Sequence, residues 1–146
     1  MKLSVFANLF VASAATAIPA EILVGSLEAR SSPILHGRAD CGGYASTCTG
    51  GYLIVQSGSE VDFTAYKCGN GKGGYDDSTI NLNTCIANVG GNLVFTKNGD
   101  YGSSCSGSTV SGTTLTANCG NGKGGYVSGS IDLNSILCNQ GGNLRC

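Results

Sequence analysis

The chain contains no tryptophan, a single histidine and a single methionine, and only 12% of its residues are charged. The lone histidine, His36, lies in an N-terminal stretch expected to be removed, which leaves the mature chain without the usual general base near neutral pH. A histidine-based triad is thereby excluded. From residue 39 onward, Lys67, Lys72, Lys97, Lys123 and Arg145 stand against Asp40, Glu60, Asp62, Asp76, Asp77, Asp100 and Asp132, a net charge of minus two. Such a surface repels nucleic acid rather than condensing on it, and suits a neutral ligand better. After the N-terminus no segment is long and apolar enough to span a bilayer, so no membrane insertion is expected.

The N-terminus sets the expected compartment. Lys2 precedes an apolar run from Leu3 to Val11 and then the small-residue pattern Ala15-Thr16-Ala17, the form of a signal peptide over residues 1–17. The run is shorter than the ~20 residues of a membrane span and Asn8 interrupts it. Residues 18–38 lack cysteine and match nothing downstream; they read as a pro-segment or disordered leader, cut at Arg30 or Arg38. Residues 39–146 form the remaining domain and hold all eight cysteines. An even count in an exported chain points to disulfides rather than a metal site, so neither metal nor cofactor is expected and the protein is expected to be secreted.

An internal repeat decides the architecture. Cys68-Gly-Asn-Gly-Lys-Gly-Gly-Tyr75 recurs unchanged as Cys119-Gly-Asn-Gly-Lys-Gly-Gly-Tyr126, an offset of 51 that holds through Ser78-Thr79-Ile80 against Gly129-Ser130-Ile131 and through Asn88 to Leu93 against Asn139 to Leu144. Repeat one covers about residues 41–95 and repeat two about 101–146. Cys48 and Cys105 are 57 apart, so the first copy carries six extra residues, assigned here to the Gln56–Ser59 turn. Val61, Phe63 and Ala65 alternate with polar neighbours as a strand with one buried face requires, and so do Leu115, Ala117 and Cys119. The two strands are out of phase with their cysteines, which predicts a bulge near Tyr66. Residues 86–95 predict a hairpin with Gly90-Gly91 as its two-residue turn, repeated at Gly141-Gly142. Ile80 to Cys85 and Ile131 to Ile136 each allow one helical turn, and nothing allows a long helix. The fold class is all-β.

Little here could perform a reaction. Paired cysteines offer neither a thiolate nucleophile nor a zinc ligand. Asp76 and Asp77 resemble a glycosidase pair, but the second copy has Val127 and Ser128 in their place, and adjacent carboxylates in a turn are ordinarily just solvated. Gly69 to Gly74 satisfies a dinucleotide-binding glycine pattern yet follows a cysteine and opens no helix.

Ser130-Ile131-Asp132-Leu133-Asn134-Ser135 followed by Asn139, Gly142 and Leu144, present twice, and Gly73-Gly74-Tyr75 ahead of the first copy, resemble the cyanovirin-N family over essentially the whole chain after the leader. The resemblance implies a non-catalytic, mannose-binding lectin of two pseudo-symmetric lobes, each a three-stranded sheet plus a β-hairpin. It implies that the hairpins are exchanged, so that Asn139 to Cys146 packs with the first copy and Asn88 to Phe95 with the second. It also implies bonds Cys48–Cys68 and Cys105–Cys119. Cys41, Cys85, Cys138 and Cys146 then allow three pairings. Hairpin register puts Cys138 opposite Arg145, on a different face from Cys146, which argues against joining those two. Because chain ends lie close together in the family, Cys41–Cys146 with Cys85–Cys138 is the preferred pairing.

By motif position, the first carbohydrate site would use Ser46, Thr47, Gly69, Asn70, Gly71, Asn139, Gln140 and Gly141. The second would use Ser103, Ser104, Gly120, Asn121, Gly122, Asn88, Val89 and Gly90. Glycine lets backbone groups approach a sugar, and the small polar side chains pair with its hydroxyls. The plainer reading is that Asn and Gly make tight turns. It is preferred for Gly90, Gly91, Gly141 and Gly142, while Asn70 and Asn121 suit either role and Asn88 and Asn139 could be strand-end residues bonded to backbone. Tyr75 and Tyr126 are read as core aromatics. The implied partners are high-mannose glycans or glycoproteins, bound by a monomer or a domain-swapped dimer.

Overall fold

The computed structural model describes residues 42–146. The expected signal peptide, the leader and Cys41 lie outside them. The described chain runs through ten strands: β1 (Tyr52–Ser57), β2 (Glu60–Gly69), β3 (Tyr75–Asn81), β4 (Ile86–Val89), β5 (Asn92–Phe95), β6 (Cys105–Ser111), β7 (Thr114–Gly120), β8 (Tyr126–Asp132), β9 (Cys138–Gln140) and β10 (Asn143–Arg145). All pairings are antiparallel, giving sheets β1-β2-β3 and β6-β7-β8 and hairpins β4-β5 and β9-β10. The predicted helical turns are short 3-10 segments, Leu82–Thr84 and Leu133–Ser135. Each is started by the residue before it, where the side chain of Asn81 or Asp132 accepts a backbone N–H two residues on.

The alternating pattern places its apolar members inside. Val61, Phe63 and Ala65 on β2 and Leu115, Ala117 and Cys119 on β7 are all buried, as are Leu82, Leu133, Ile86 and Leu137. Tyr44 meets the Phe63 ring edge-on at 5.5 Å and Tyr52 stacks on Phe63 at 5.9 Å. The hairpins are exchanged as expected. β10 lies against β3, where the Leu144 N–H donates to Ser78 Oγ at 2.8 Å, and β5 lies against β8. At the position equivalent to Ser78 the second copy has Gly129, and a Cβ there would stand 2.5 Å from the Gly91 carbonyl oxygen. One lobe uses a hydroxyl to seat its hairpin, and the other brings the backbones into direct contact.

The bulge predicted near Tyr66 is present: β2 loses register with β3 between Ala65 and Cys68, with Lys67 at φ 51°. The second copy puts its irregularity on β6 instead, between Ser106 and Thr109. The six extra residues do not sit in the Gln56–Ser59 turn. Both copies close with two-residue turns, Ser57 pairing with Glu60 and Ser111 with Thr114. The insertion is shared equally: Ser57 lies nine residues after Cys48 where Ser111 lies six after Cys105, and Cys68 lies eight after Glu60 where Cys119 lies five after Thr114. Three residues on each strand leave the two-residue turn intact, and because an odd addition reverses which face a side chain occupies, β2 needs its irregularity between Ala65 and Cys68 to restore the buried face.

The longer hairpin reaches the other lobe. Gln56 Nε2 donates to the Cys105 carbonyl at 2.9 Å and its Oε1 accepts the Ser108 N–H at 3.0 Å, satisfying backbone groups that flank the β6 irregularity. The Tyr52 hydroxyl donates to the Val110 carbonyl at 3.2 Å.

Disulfides join Cys48 to Cys68 and Cys105 to Cys119, as the resemblance implies. The third described bond is Cys85–Cys146, which overturns the preferred pairings Cys41–Cys146 and Cys85–Cys138. The exchanged β10 carries the C-terminus to the first copy, within 5.9 Å Cα to Cα of Cys85 at the end of the Leu82–Thr84 turn. Cys138 is also disulfide-bonded.

Candidate functional site

In each lobe three segments distant in sequence meet where a sheet ends. In the first, the bulge and the Cys48–Cys68 bond hold β2 so that the Gly69 N–H donates to the Thr47 carbonyl at 2.9 Å. The exchanged hairpin then adds Asn139, whose Nδ2 donates to the Gly69 carbonyl at 2.9 Å while its Oδ1 accepts the Gly142 N–H at 2.8 Å. The tip of that hairpin rests beside Asn70: a Cβ at Gly141 would lie 3.8 Å from the Asn70 carbonyl oxygen. Gly141 and Gly142 take φ values of 59° and 91°, the positive pair that a two-residue turn needs.

The second lobe repeats this. The Gly120 N–H donates to the Ser104 carbonyl at 2.9 Å, and Asn88 Nδ2 donates to the Gly120 carbonyl at 2.9 Å and to Ser104 Oγ at 3.0 Å. Asn88 Oδ1 accepts the Gly91 N–H at 2.8 Å. The structure therefore brings together Ser46, Thr47, Gly69, Asn70, Gly71, Asn139, Gln140 and Gly141 in one lobe and Ser103, Ser104, Gly120, Asn121, Gly122, Asn88, Val89 and Gly90 in the other.

The asparagines are engaged inside the protein. Asn70 Oδ1 accepts the N–H groups of Lys72 and Gly74, both at 3.0 Å, and Asn121 Oδ1 accepts those of Lys123 at 2.8 Å and Gly125 at 3.1 Å. Their first role is to shape the glycine loops. Ser46 and Ser103 hydroxyls donate to the carbonyls of Gly43 and Asp100, which leaves their oxygens able to accept. Ser46, Thr47, Gly71, Gln140 and Gly141 are exposed, as are Ser103, Ser104, Gly122, Val89 and Gly90. Among the described residues neither cluster encloses a cavity; both are open, shallow surfaces.

Tyr75 and Tyr126 are not core residues. They are 66% and 68% exposed and begin β3 and β8 directly across from Gly69 and Gly120. Each stands at its cluster's edge, where a strand begins just after Gly-Gly and faces a residue without a side chain. That placement was the available signal in the sequence.

Residues 101–146 match the CVNH domain family model. Solved structures extend the likeness to the first copy. Gibberella zeae CVNH superposes with a TM-score of 0.55 at 23% identity, covering 72% of this chain and 97% of its own. The chain has the cyanovirin-N homologue fold. T. borchii CVNH matches with a TM-score of 0.52 at 26% identity over 70% of this chain and 96% of its own. A MoCVNH3 variant in complex with (N-GlcNAc)4 matches with a TM-score of 0.52 at 19% identity over 71% and 99%. No curated protein matches the chain. The cyanovirin-N homologue fold accounts for both the duplicated sheets and the exchanged hairpins, and the family resemblance read from the repeated motifs stands.

Proposed function

We propose that the protein is a secreted, non-catalytic carbohydrate-binding protein whose two sites engage terminal mannose residues of high-mannose glycans. The observation that carries this reading is the doubled assembly of three neutral, glycine-rich polar segments, one assembly per lobe, each built across the hairpin exchange. The Asn amides hold the loops rigid, so that exposed backbone groups and the Ser and Thr hydroxyls meet a polyol without an ordering cost. The fold supports the reading, since a homologue of the same fold is described in complex with a GlcNAc oligomer. Two sites on one chain gain avidity wherever a glycan surface presents both ligands together.

Titration with α1,2-linked mannobiose, followed by calorimetry and by backbone amide shifts, tests the proposal. Binding heat together with shifts at Gly71, Gln140 and Gly141 or at Gly122, Val89 and Gly90 is the expected result; no heat and no shift rejects it. One observation favours a second reading, a secreted cysteine-rich structural or defence protein that binds no sugar: the side-chain oxygens of all four cluster asparagines are occupied within the protein. A glycan array that stays blank with the folded, oxidised protein would select it.

A further inference from the structure

We infer that the two sites have diverged in the class of sugar each prefers, and that the exchange of Asp76 and Gln140 in the first for Val127 and Val89 in the second sets the difference. The inference rests on the carbohydrate-binding reading and deepens it. The two clusters share their framework: the same Asn-to-glycine bonds, the same asparagine-shaped loops and the same positive-φ glycine turns. The side chains against the hairpin tip differ. In the first lobe a Cβ at Gly142 would meet Asp76 Oδ2 at 2.5 Å, Asp76 Cβ at 3.1 Å and Asn70 Cβ at 3.2 Å, so the carboxylate lies against the turn beside Asn70. In the second, a Cβ at Gly91 would run into Val127 Cγ2, with Asn121 Cβ at 3.7 Å.

Asp76 is exposed and, among the described residues, accepts no hydrogen bond; its neighbour Asp77 is the one engaged, by the Lys67 N–H at 3.0 Å. A free carboxylate accepts from two adjacent sugar hydroxyls at once, in charge-assisted bonds stronger than neutral ones. Val127 and Val89 are 43% and 53% exposed and accept nothing. They offer an apolar surface to the hairpin side of the site, which suits the methyl of an acetamido group. The first site thus favours a hexose with free vicinal hydroxyls, and the second favours an N-acetylhexosamine over that hexose.

The test uses the full, oxidised, isotope-labelled domain, titrated separately with α1,2-linked mannobiose and with N,N′-diacetylchitobiose. Mannobiose is expected to bind at Gly71, Gln140 and Gly141 at least about tenfold more tightly than at Gly122, Val89 and Gly90, the worth of one charge-assisted hydrogen bond. Chitobiose is expected to reverse that order. Asp76→Val and Asp76→Asn should each weaken mannobiose about tenfold at the first site alone, with unchanged amide positions in the second lobe reporting an intact fold. Val127→Asp should strengthen mannobiose binding at the second site about tenfold. The same site preference for both sugars, or an Asp76→Asn protein that binds mannobiose like the wild type, overturns the inference while leaving the carbohydrate-binding reading intact. A wild-type protein silent to both sugars at both sites overturns that reading, and the inference with it.

Discussion

Asn88 and Asn139 each spend one amide group on two loops, donating to a glycine carbonyl across the exchange and accepting the N–H that closes their own hairpin. Both are half-buried, so removing the amide strands partners that water reaches poorly. Asn139→Ala should cost about 2 kcal/mol, two net hydrogen bonds, read as a lower urea midpoint at constant m. That Asn139 faces Gly69 could not be read locally, because its partner lies 70 residues away. The turn role of Asn70 and Asn121 was half legible, since the same residue type serves a turn or a ligand. Two tyrosines carry the pH dependence. Burial, aided by the Asp132 carboxylate and by Tyr52, pushes the Tyr44 phenol up to about 12, and burial pushes Tyr101 there too, against the opposing pull of Ser108. A folded-state value above the ordinary 10 means that the stability from both groups is complete below pH 10 and is lost as pH rises through 12. Denaturant unfolding should show stability falling across that window, more steeply in the wild type than in Tyr101→Phe.

At the scale of elements, periodicity and turn chemistry carried most of the reading. The alternation of Val61, Phe63 and Ala65 against Cys68 revealed the β2 bulge because a period of two cannot absorb an extra residue. The β6 irregularity left no such trace: Ser106 to Ser108 is small and polar throughout and has no phase to break. The longer first hairpin was legible as a six-residue surplus but not as three residues on each strand, since a turn is the usual place for insertions. What the extension does became visible only in the fold, where Gln56 caps backbone groups of β6. Gln56→Ala should cost about 1–2 kcal/mol and raise hydrogen exchange at Ser108 before other β6 amides. Gly129 makes the complementary case. Gly129→Ala forces a methyl against the Gly91 carbonyl and Leu93, and should destabilise by about 1–3 kcal/mol, with exchange rising first in β4 and β5.

For the whole molecule, the duplication fixed the fold class and the family motifs fixed the exchange, while the long-range cysteine pairing escaped both. Cysteines carry no periodicity that names a partner, and preferring the two chain ends overlooked the path of β10, which delivers Cys146 to Cys85. A non-reducing peptide map should join Cys85 to Cys146. The Cys85–Cys146 bond spans a sequence separation of 61. Replacing both residues by serine should therefore cost about 4 kcal/mol in the chain-entropy model, read from denaturant midpoints.

Lys97 is exposed in the stretch between β5 and the turn that begins at Tyr101. The cross-lobe hairpins and the Cys85–Cys146 bond both bypass it. Continuity of the main chain at that point is thus redundant: a molecule nicked by trypsin after Lys97 would keep its shape, travel as a single species, and fall into two fragments only once a reductant and a denaturant were both applied.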